Sequence, residues 1–223
     1  YSASVLQGGA NAREMFENRR KAYVLMGVEP EFDCGNPQLV VDALNEASLV
    51  VYMSAFKHEP ALQYADVMLP ISPYTETSGS FVNTEGRVQS FNGVVKARGD
   101  ARPAWKVLRV LGNVLNIDGS SYESSEGVRD DVLGKSVEFV SGLSNDLNEI
   151  GIQLPSLVFD LQRIADVPIN FADSMARRSP VLQQTSDAVA PTARVNEQTL
   201  AKLGLASGVK VQVIQGQGKA ELV

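Results

Sequence analysis

Apolar residues fall in short unbroken runs separated by stretches of helical spacing, and the two patterns alternate over the first third of the chain. Ala22-Tyr23-Val24-Leu25-Met26 is one run, ended by Gly27; Leu49-Val50-Val51-Tyr52-Met53 is a second; Val67-Met68-Leu69, stopped by Pro70, is a third. Runs of this length without polar alternation predict strands of a parallel sheet, buried on both faces. Ahead of the first, Asn11 to Lys21 predicts a helix with Met15 and Phe16 as its apolar contacts and basic residues in its last turn, where the helix dipole favours cations. Between the first two runs, Asn36-Pro37 is an N-cap and first-turn signature, and Leu39, Val40, Ala43, Leu44 and Ala47 recur at helical spacing. Pro60 opens a short helix through Ala61, Leu62 and Ala65 before the third run. The order β-α-β-α-β predicts an α/β fold with a doubly wound, mostly parallel sheet and right-handed crossovers.

Further along, Pro103 introduces a helix in which Ala104, Leu108, Leu111 and Leu115 share a face, which predicts a core helix. Residues 116–127 are rich in Gly, Ser and Asp and read as a loop, and Val128 to Phe139 predicts a helix broken near Gly134. Residues 141–177 are irregular and punctuated by Pro155 and Pro168, the composition of a linker. Near Arg178 a different unit begins: Asn196 caps a short helix that ends at Gly204, Val209 to Val213 alternates as a half-buried strand, and the turn at 215–218 leads into Lys219 to Val223. The domains predicted are 1–140 (α/β), 141–177 (linker) and 178–223 (an incomplete β-barrel-like unit). One helix and two strands bury too little apolar surface to close a barrel.

Composition narrows the chemistry. A net charge of −6 and a pI near 4.9 argue against a nucleic-acid surface, and no run approaches the ~20 apolar residues that cross a bilayer. Cys34 is the only cysteine and His58 the only histidine, so the chain forms no internal disulfide, holds no cluster that needs several thiolates, and has no His-rich zinc site. Cys34 and His58 as a nucleophile–base pair is disfavoured, since a lone cysteine is ordinarily structural. The residues ahead of Ala10 have no signal-peptide pattern, and the missing initiator Met suggests a piece of a longer protein.

In a parallel sheet, ligands sit beyond the carboxyl ends of the strands. Here those ends supply residues 27–30, residues 54–59 and the loop from Ile71 to Gly79. No G-x-G-x-x-G follows any strand, so the ordinary dinucleotide fingerprint is absent. The stretch from Tyr64 to Phe91 carries the densest signal: a strand end, then a polar loop through Thr75, Glu76, Thr77, Ser78 and Gly79, then a reversal in which Gly86 supplies the positive φ.

Ala65-Asp66-Val67, with Leu69-Pro70, followed by Glu76, Gly79, Phe81, Asn83, Glu85, Gly86 and Arg87, resembles the strand "ADVxLP" and loop "E-x-x-G-x-F-x-N-x-E-G-R" of the molybdopterin oxidoreductase superfamily. With GANAREMF, YVLMGVEPEFDCGNPQL and RPAWKVLRVLGNVL, the chain is most similar to one branch, the large peripheral-arm subunits of bacterial proton-pumping NADH-quinone oxidoreductases, over nearly its whole length. That resemblance implies a structural and interaction role in a respiratory electron-transfer complex (complex I). The iron-sulfur clusters would lie in an N-terminal part outside these residues, the partners would be other subunits, and the location would be the cytoplasmic face of the membrane without a span. It assigns no catalytic, cofactor-binding or metal residue to this chain. The rival it implies is a cofactor-binding fragment of a molybdopterin-guanine-dinucleotide oxidoreductase, with Glu29, Ser54, His58, Glu76, Thr84 and Arg87 lining a nucleotide site; a third reading is an autonomous small-molecule-binding α/β protein. Outside the nucleotide-site rival, His58 is expected to be a loop residue with replaceable contacts.

Overall fold

The computed structural model describes residues 10–83, 85–133, 161–216 and 218–223. They belong to two compact units, 1–160 and 161–223.

The first unit is built on three parallel strands in the order β1-β2-β3: β1 (Ala22–Met26), β2 (Leu49–Ser54) and β3 (Val67–Pro70). Tyr23 pairs with Val50 and Leu25 with Tyr52, while Tyr52 also pairs with Met68, so one sheet face carries Tyr23, Leu25, Val50, Tyr52 and Met68. Helix α3 (Pro37–Asn45) lies on that face, capped at Asn36, whose Oδ1 accepts from the Leu39 N–H. Val40, Ala43 and Leu44 meet the sheet residues and, with Ala61 and Tyr64 from the 3₁₀ turn Glu59–Gln63 and its cap, close the core. Asp66 fixes the entry to β3, since its carboxylate accepts from the Val50 N–H at 2.7 Å and its own N–H donates to the Val50 carbonyl at 3.0 Å. The predicted parallel α/β sheet is thus present, with all three predicted strands in place.

The opposite sheet face is also apolar and is only partly covered: Met53 is fully buried and Val51 and Leu69 are half-buried. Val24 and Met26 on β1 are half exposed, and Leu49 and Val67 are more than 40% exposed. Burial on β1 alternates strictly, correcting the expectation of a strand covered on both sides. Helix α4 (Ala104–Val114) departs from expectation in the same way: its apolar stripe exists, yet Leu108, Val110 and Val114 are exposed and only Gly112 is buried. An apolar stripe in sequence says which side a helix can bury, and here Ala104 and Leu111 are only half-buried.

Helix α1 (Ala12–Glu17) is shorter than the predicted Asn11–Lys21. Its start follows the rule: Asn11 Oδ1 accepts from the Glu14 N–H while Glu14 accepts from the Asn11 N–H, a reciprocal capping box. Its end comes early because the Tyr23 hydroxyl, reaching back from β1, accepts from the Arg20 N–H and donates to the Met15 carbonyl. Arg19, Arg20 and Lys21 therefore lie outside the last turn, and Arg19 pairs with Glu46.

Beyond β3, the loop runs through a 3₁₀ turn (Tyr74–Glu76) into the hairpin β4 (Gly79–Val82) and β5 (Val88–Phe91). Asn83 organises the reversal. Its Oδ1 accepts from the N–H groups of Glu85 and Arg87, and the Gly86 N–H donates to its carbonyl. Gly86 has φ 78° as predicted, and Phe81 stacks on Phe91 at 5.2 Å. Helix α5 covers Ser125–Leu133, starting three residues before the predicted Val128; the rest of that predicted helix, and 141–160 of the linker, lie outside the described residues.

In the second unit, a 3₁₀ turn (Ile169–Phe171) precedes α6 (Ser174–Arg177), which Asp173 caps through the Met175 and Ala176 N–H groups. Asn196 caps α7 (Glu197–Lys202), and Gly204 takes φ 65° beyond its end, both as predicted. Strands β6 (Val211–Gln215) and β7 (Gly218–Leu222) form an antiparallel hairpin. β6 starts two residues later than predicted, its register set by the turn at Gly216, φ 58°.

Gly86→Val forces a β-branched residue to positive φ and is expected to cost about 1–3 kcal/mol. Gly35→Ala, where an added Cβ meets nothing within 4 Å, is expected to melt like the parent. Thermal unfolding of the two variants checks the pair.

Candidate functional site

The carboxyl ends of β1 and β2 bring five chemistry-bearing side chains together: Glu29, Glu31, Asp33, His58 and Tyr64. β1 terminates at Gly27, whose φ of 65° turns the chain and whose N–H donates to the Met53 carbonyl. Glu29 then caps a single helical turn, α2 (Pro30–Asp33), with Pro30 at the position where a missing N–H costs nothing. The Glu29 N–H donates to the Asp33 carboxylate at 2.7 Å. β2 terminates at Ser54, whose Oγ accepts from the Phe56 N–H, and the chain reaches His58 just before the 3₁₀ turn that leads to Tyr64.

His58 is 3% exposed and lies between two carboxylates. Its Nε2 is 2.7 Å from Glu31 Oε2, and its Nδ1 is 4.0 Å from Glu29 Oε2, with Glu29 itself buried. A carboxylate only accepts, so the 2.7 Å contact places a proton on Nε2. The Tyr64 hydroxyl donates weakly to the same Glu31 oxygen, at 3.5 Å. Phe32 meets the imidazole edge-on at 5.8 Å and Tyr52 stacks at 6.3 Å, so the ring is held by aromatic walls as well as by charge. Burial, with the neighbouring Glu31 charge second, pushes the Tyr64 phenol far above its ordinary range. Burial likewise raises the thiol of Cys34, which caps the end of α2, with the Asp33 and Glu31 charges adding to the effect.

The residues proposed from sequence for a nucleotide site divide into two groups. Glu29 and His58 come together as expected, with Ser54 close along the same strand end. Glu76 and Arg87 serve a separate construction: the Glu76 carboxylate accepts from the Arg98 N–H at 3.2 Å, and Arg87 is pinned by its backbone to Asn83. Thr84 lies outside the described residues. His58 corrects the expectation of replaceable loop contacts, since it is buried and hydrogen-bonded. Its described ring partners are Glu31 and Glu29, so the sequence-level idea of a Cys34–His58 pair finds no contact to support it. Sequence reasoning missed Glu31, Tyr52 and Tyr64. The available signal was Glu-x-Glu directly after one strand end and the sole histidine after the next, two positions that parallel pairing of β1 and β2 makes adjacent.

Chemically, the arrangement holds an imidazole fixed but offers no described nucleophile to it, and no group of three or more His, Cys, Asp or Glu side chains suited to a metal ion occurs among the described residues. The pterin-guanine dinucleotide of the superfamily carries a pyrophosphate, which favours free N–H groups and cations at strand ends. This edge presents Glu29, Glu31 and Asp33 instead, the Glu29 N–H is already bonded to Asp33, and Lys57 is paired with Glu59 at 2.9 Å. The residues present do not fit that group.

Residues 4–114 match the molybdopterin oxidoreductase family. A nitrate reductase of Shewanella frigidimarina is 24% identical over 97% of this chain and 21% of its own length. A formate dehydrogenase-like protein of Bacillus subtilis is 36% identical over 49% of this chain and 11% of its own. The mitochondrial NADH-ubiquinone oxidoreductase 78 kDa subunit of Candida albicans is 53% identical over 24% of this chain and 7% of its own. The chain thus spans at most about a fifth of the length of these relatives. No helix among the described residues is long and apolar enough to cross a membrane.

Two variants test the site. His58→Ala is expected to cost about 2–4 kcal/mol in chemical denaturation, below the full range for breaking a buried pair because Glu31 is a quarter exposed. Glu31→Gln should lower the apparent pKa of Cys34, read by thiolate absorbance, yet leave it above that of an ordinary thiol, because burial is the larger cause. Over residues 4–114 the chain is similar to molybdopterin oxidoreductase domains.

Proposed function

We propose that this chain is part of the large peripheral-arm subunit of an NADH-quinone oxidoreductase, where it acts as a structural and interaction body without a redox centre of its own. The observation that carries the reading is the Glu29–His58–Glu31 cluster. The strand ends, beside which an α/β sheet ordinarily receives a ligand, carry the chain's own buried Glu29 and His58 and the partly buried Glu31, a negative cluster that disfavours a pyrophosphate. The loop resembling the superfamily motif is likewise occupied internally: Glu76 holds the Arg98 backbone, the Thr75 carbonyl receives the Val94 and Val95 N–H groups, and Asn83 and Gly86 form a turn. The 53% identity to the Candida albicans protein supports the branch, and the exposed apolar sheet face suits a body that packs against other parts of an assembly. Iron-sulfur clusters and contacts with the membrane-bound quinone site belong, on this reading, to other parts of the complex.

The second reading, a fragment that contributes to a pterin-guanine dinucleotide site, is favoured by the similarity to the nitrate reductase and the formate dehydrogenase-like protein. Calorimetric titration of the chain with guanosine diphosphate, with metal analysis of the purified chain, separates the two. The scaffold reading expects no saturable heat and no stoichiometric molybdenum; tight binding or stoichiometric metal would overturn it in favour of the second.

A further inference from the structure

We propose that Asn92-Gly93 is a self-modification site, at which the chain converts its own asparagine to isoaspartate through a succinimide. The inference stands apart from the scaffold reading and does not depend on it. Of all the asparagines in the sequence, Asn92 alone is followed by glycine. A succinimide forms when the backbone nitrogen of the next residue reaches the asparagine Cγ, and a Cβ on that residue crowds the approach; glycine has none. Asn92 lies just beyond β5, is exposed, and its side-chain amide makes no hydrogen bond among the described residues. The hollow beside it is lined by polar side chains, Ser80, Ser90, Ser125, Glu126 and Arg129, so water reaches the amide.

The attacking nitrogen is lightly held. The Gly93 N–H meets Ser78 Oγ at 3.4 Å, longer than an ordinary N–H···O bond. The fold also requires glycine there. A Cβ at this position would lie 3.0 Å from the Thr77 nitrogen and 3.1 Å and 3.2 Å from the carbonyl carbons of Glu76 and Thr77, backbone atoms that cannot swing aside. Close approach of two backbone segments thus fixes Gly93, and the labile pair comes with it.

The step balances without a redox partner. Solvent base takes the Gly93 N–H proton, the Gly93 nitrogen bonds to Asn92 Cγ, and the Cγ–Nδ2 bond breaks as the amide nitrogen takes up a proton and leaves as ammonia. Water then opens the ring at either carbonyl, giving aspartate or isoaspartate, and no atom is oxidised or reduced. Isoaspartate routes the chain through the former side chain. The added backbone carbon falls between Phe91, which pairs with Gly79, and Val94 and Val95, whose N–H groups both donate to the Thr75 carbonyl.

The test incubates the folded 223-residue chain at mildly alkaline pH and follows every asparagine by peptide mapping and mass spectrometry, with isoaspartate scored by an isoaspartyl methyltransferase. Asn92 is expected to lose its amide at least roughly tenfold faster than any other asparagine, since each of those precedes a residue that bears a Cβ. The rate should rise with pH, as removal of the Gly93 proton requires, and Asn92→Gln should abolish the isoaspartate that accompanies the mass change of amide loss. Asp118-Gly119 can close the same ring, but it releases water rather than ammonia and returns to its original mass. An Asn92 that keeps its amide in the folded chain while losing it in urea would show that the fold shields the site, and would overturn the proposal. Rates at Asn92 no faster than at the other asparagines, or a rate that does not respond to pH, would overturn it equally.

Discussion

A 2.7 Å hydrogen bond between His58 and Glu31 joins the ends of two parallel strands at the place where such sheets ordinarily leave room for a ligand. Burying an imidazole beside carboxylates is costly unless its polar atoms find partners, so the contact constrains everything around it. α2 must present Glu31, which requires the reversal at Gly27 and the proline start at Pro30. The 3₁₀ turn at Glu59–Gln63 must follow His58 directly, which brings Tyr64 to the same carboxylate and Ala61 into the core. The aromatic walls from Phe32 and Tyr52 exclude water from the imidazole, and a hydrogen bond strengthens as its surroundings dry.

The same strands give the first unit two unequal faces. On one, α3 and the 3₁₀ turn complete a core around Val50, Tyr52 and Leu44; on the other, Met53 is buried but Val24, Met26 and Val67 stand in the open. A parallel sheet is rarely stable with one face wet, and an apolar face has nothing to gain from water. The architecture therefore suits a body whose second face is completed by packing, which agrees with the structural role proposed above.

Much of this was legible in the sequence because it depends on local chemistry. Unbroken apolar runs ended by Gly27 and Pro70 marked the strands, Asn36-Pro37 and Asn196 marked helix starts, and Gly86 marked a positive-φ turn. Resemblance located the loop motif but not its use, since a carboxylate that grips a backbone N–H, as Glu76 does, reads the same as one that grips a ligand. What escaped was set by tertiary placement. The early end of α1 follows from the Tyr23 hydroxyl reaching back from another element, and periodicity states that a stripe such as that of α4 can be buried, not that it is. The burial of His58 follows from strand register, which brings residues 27 positions apart within hydrogen-bond distance.

With a single histidine, the chain has one imidazole to observe, and proton NMR of its ring N–H groups tests the central claim most directly. The account predicts a slowly exchanging, downfield Nε2–H resonance from His58 in the parent chain that is lost in Glu31→Gln while the fold persists. A histidine whose ring protons exchange freely with water in the folded parent, or whose protected resonance survives unchanged when Glu31 is replaced, would contradict it.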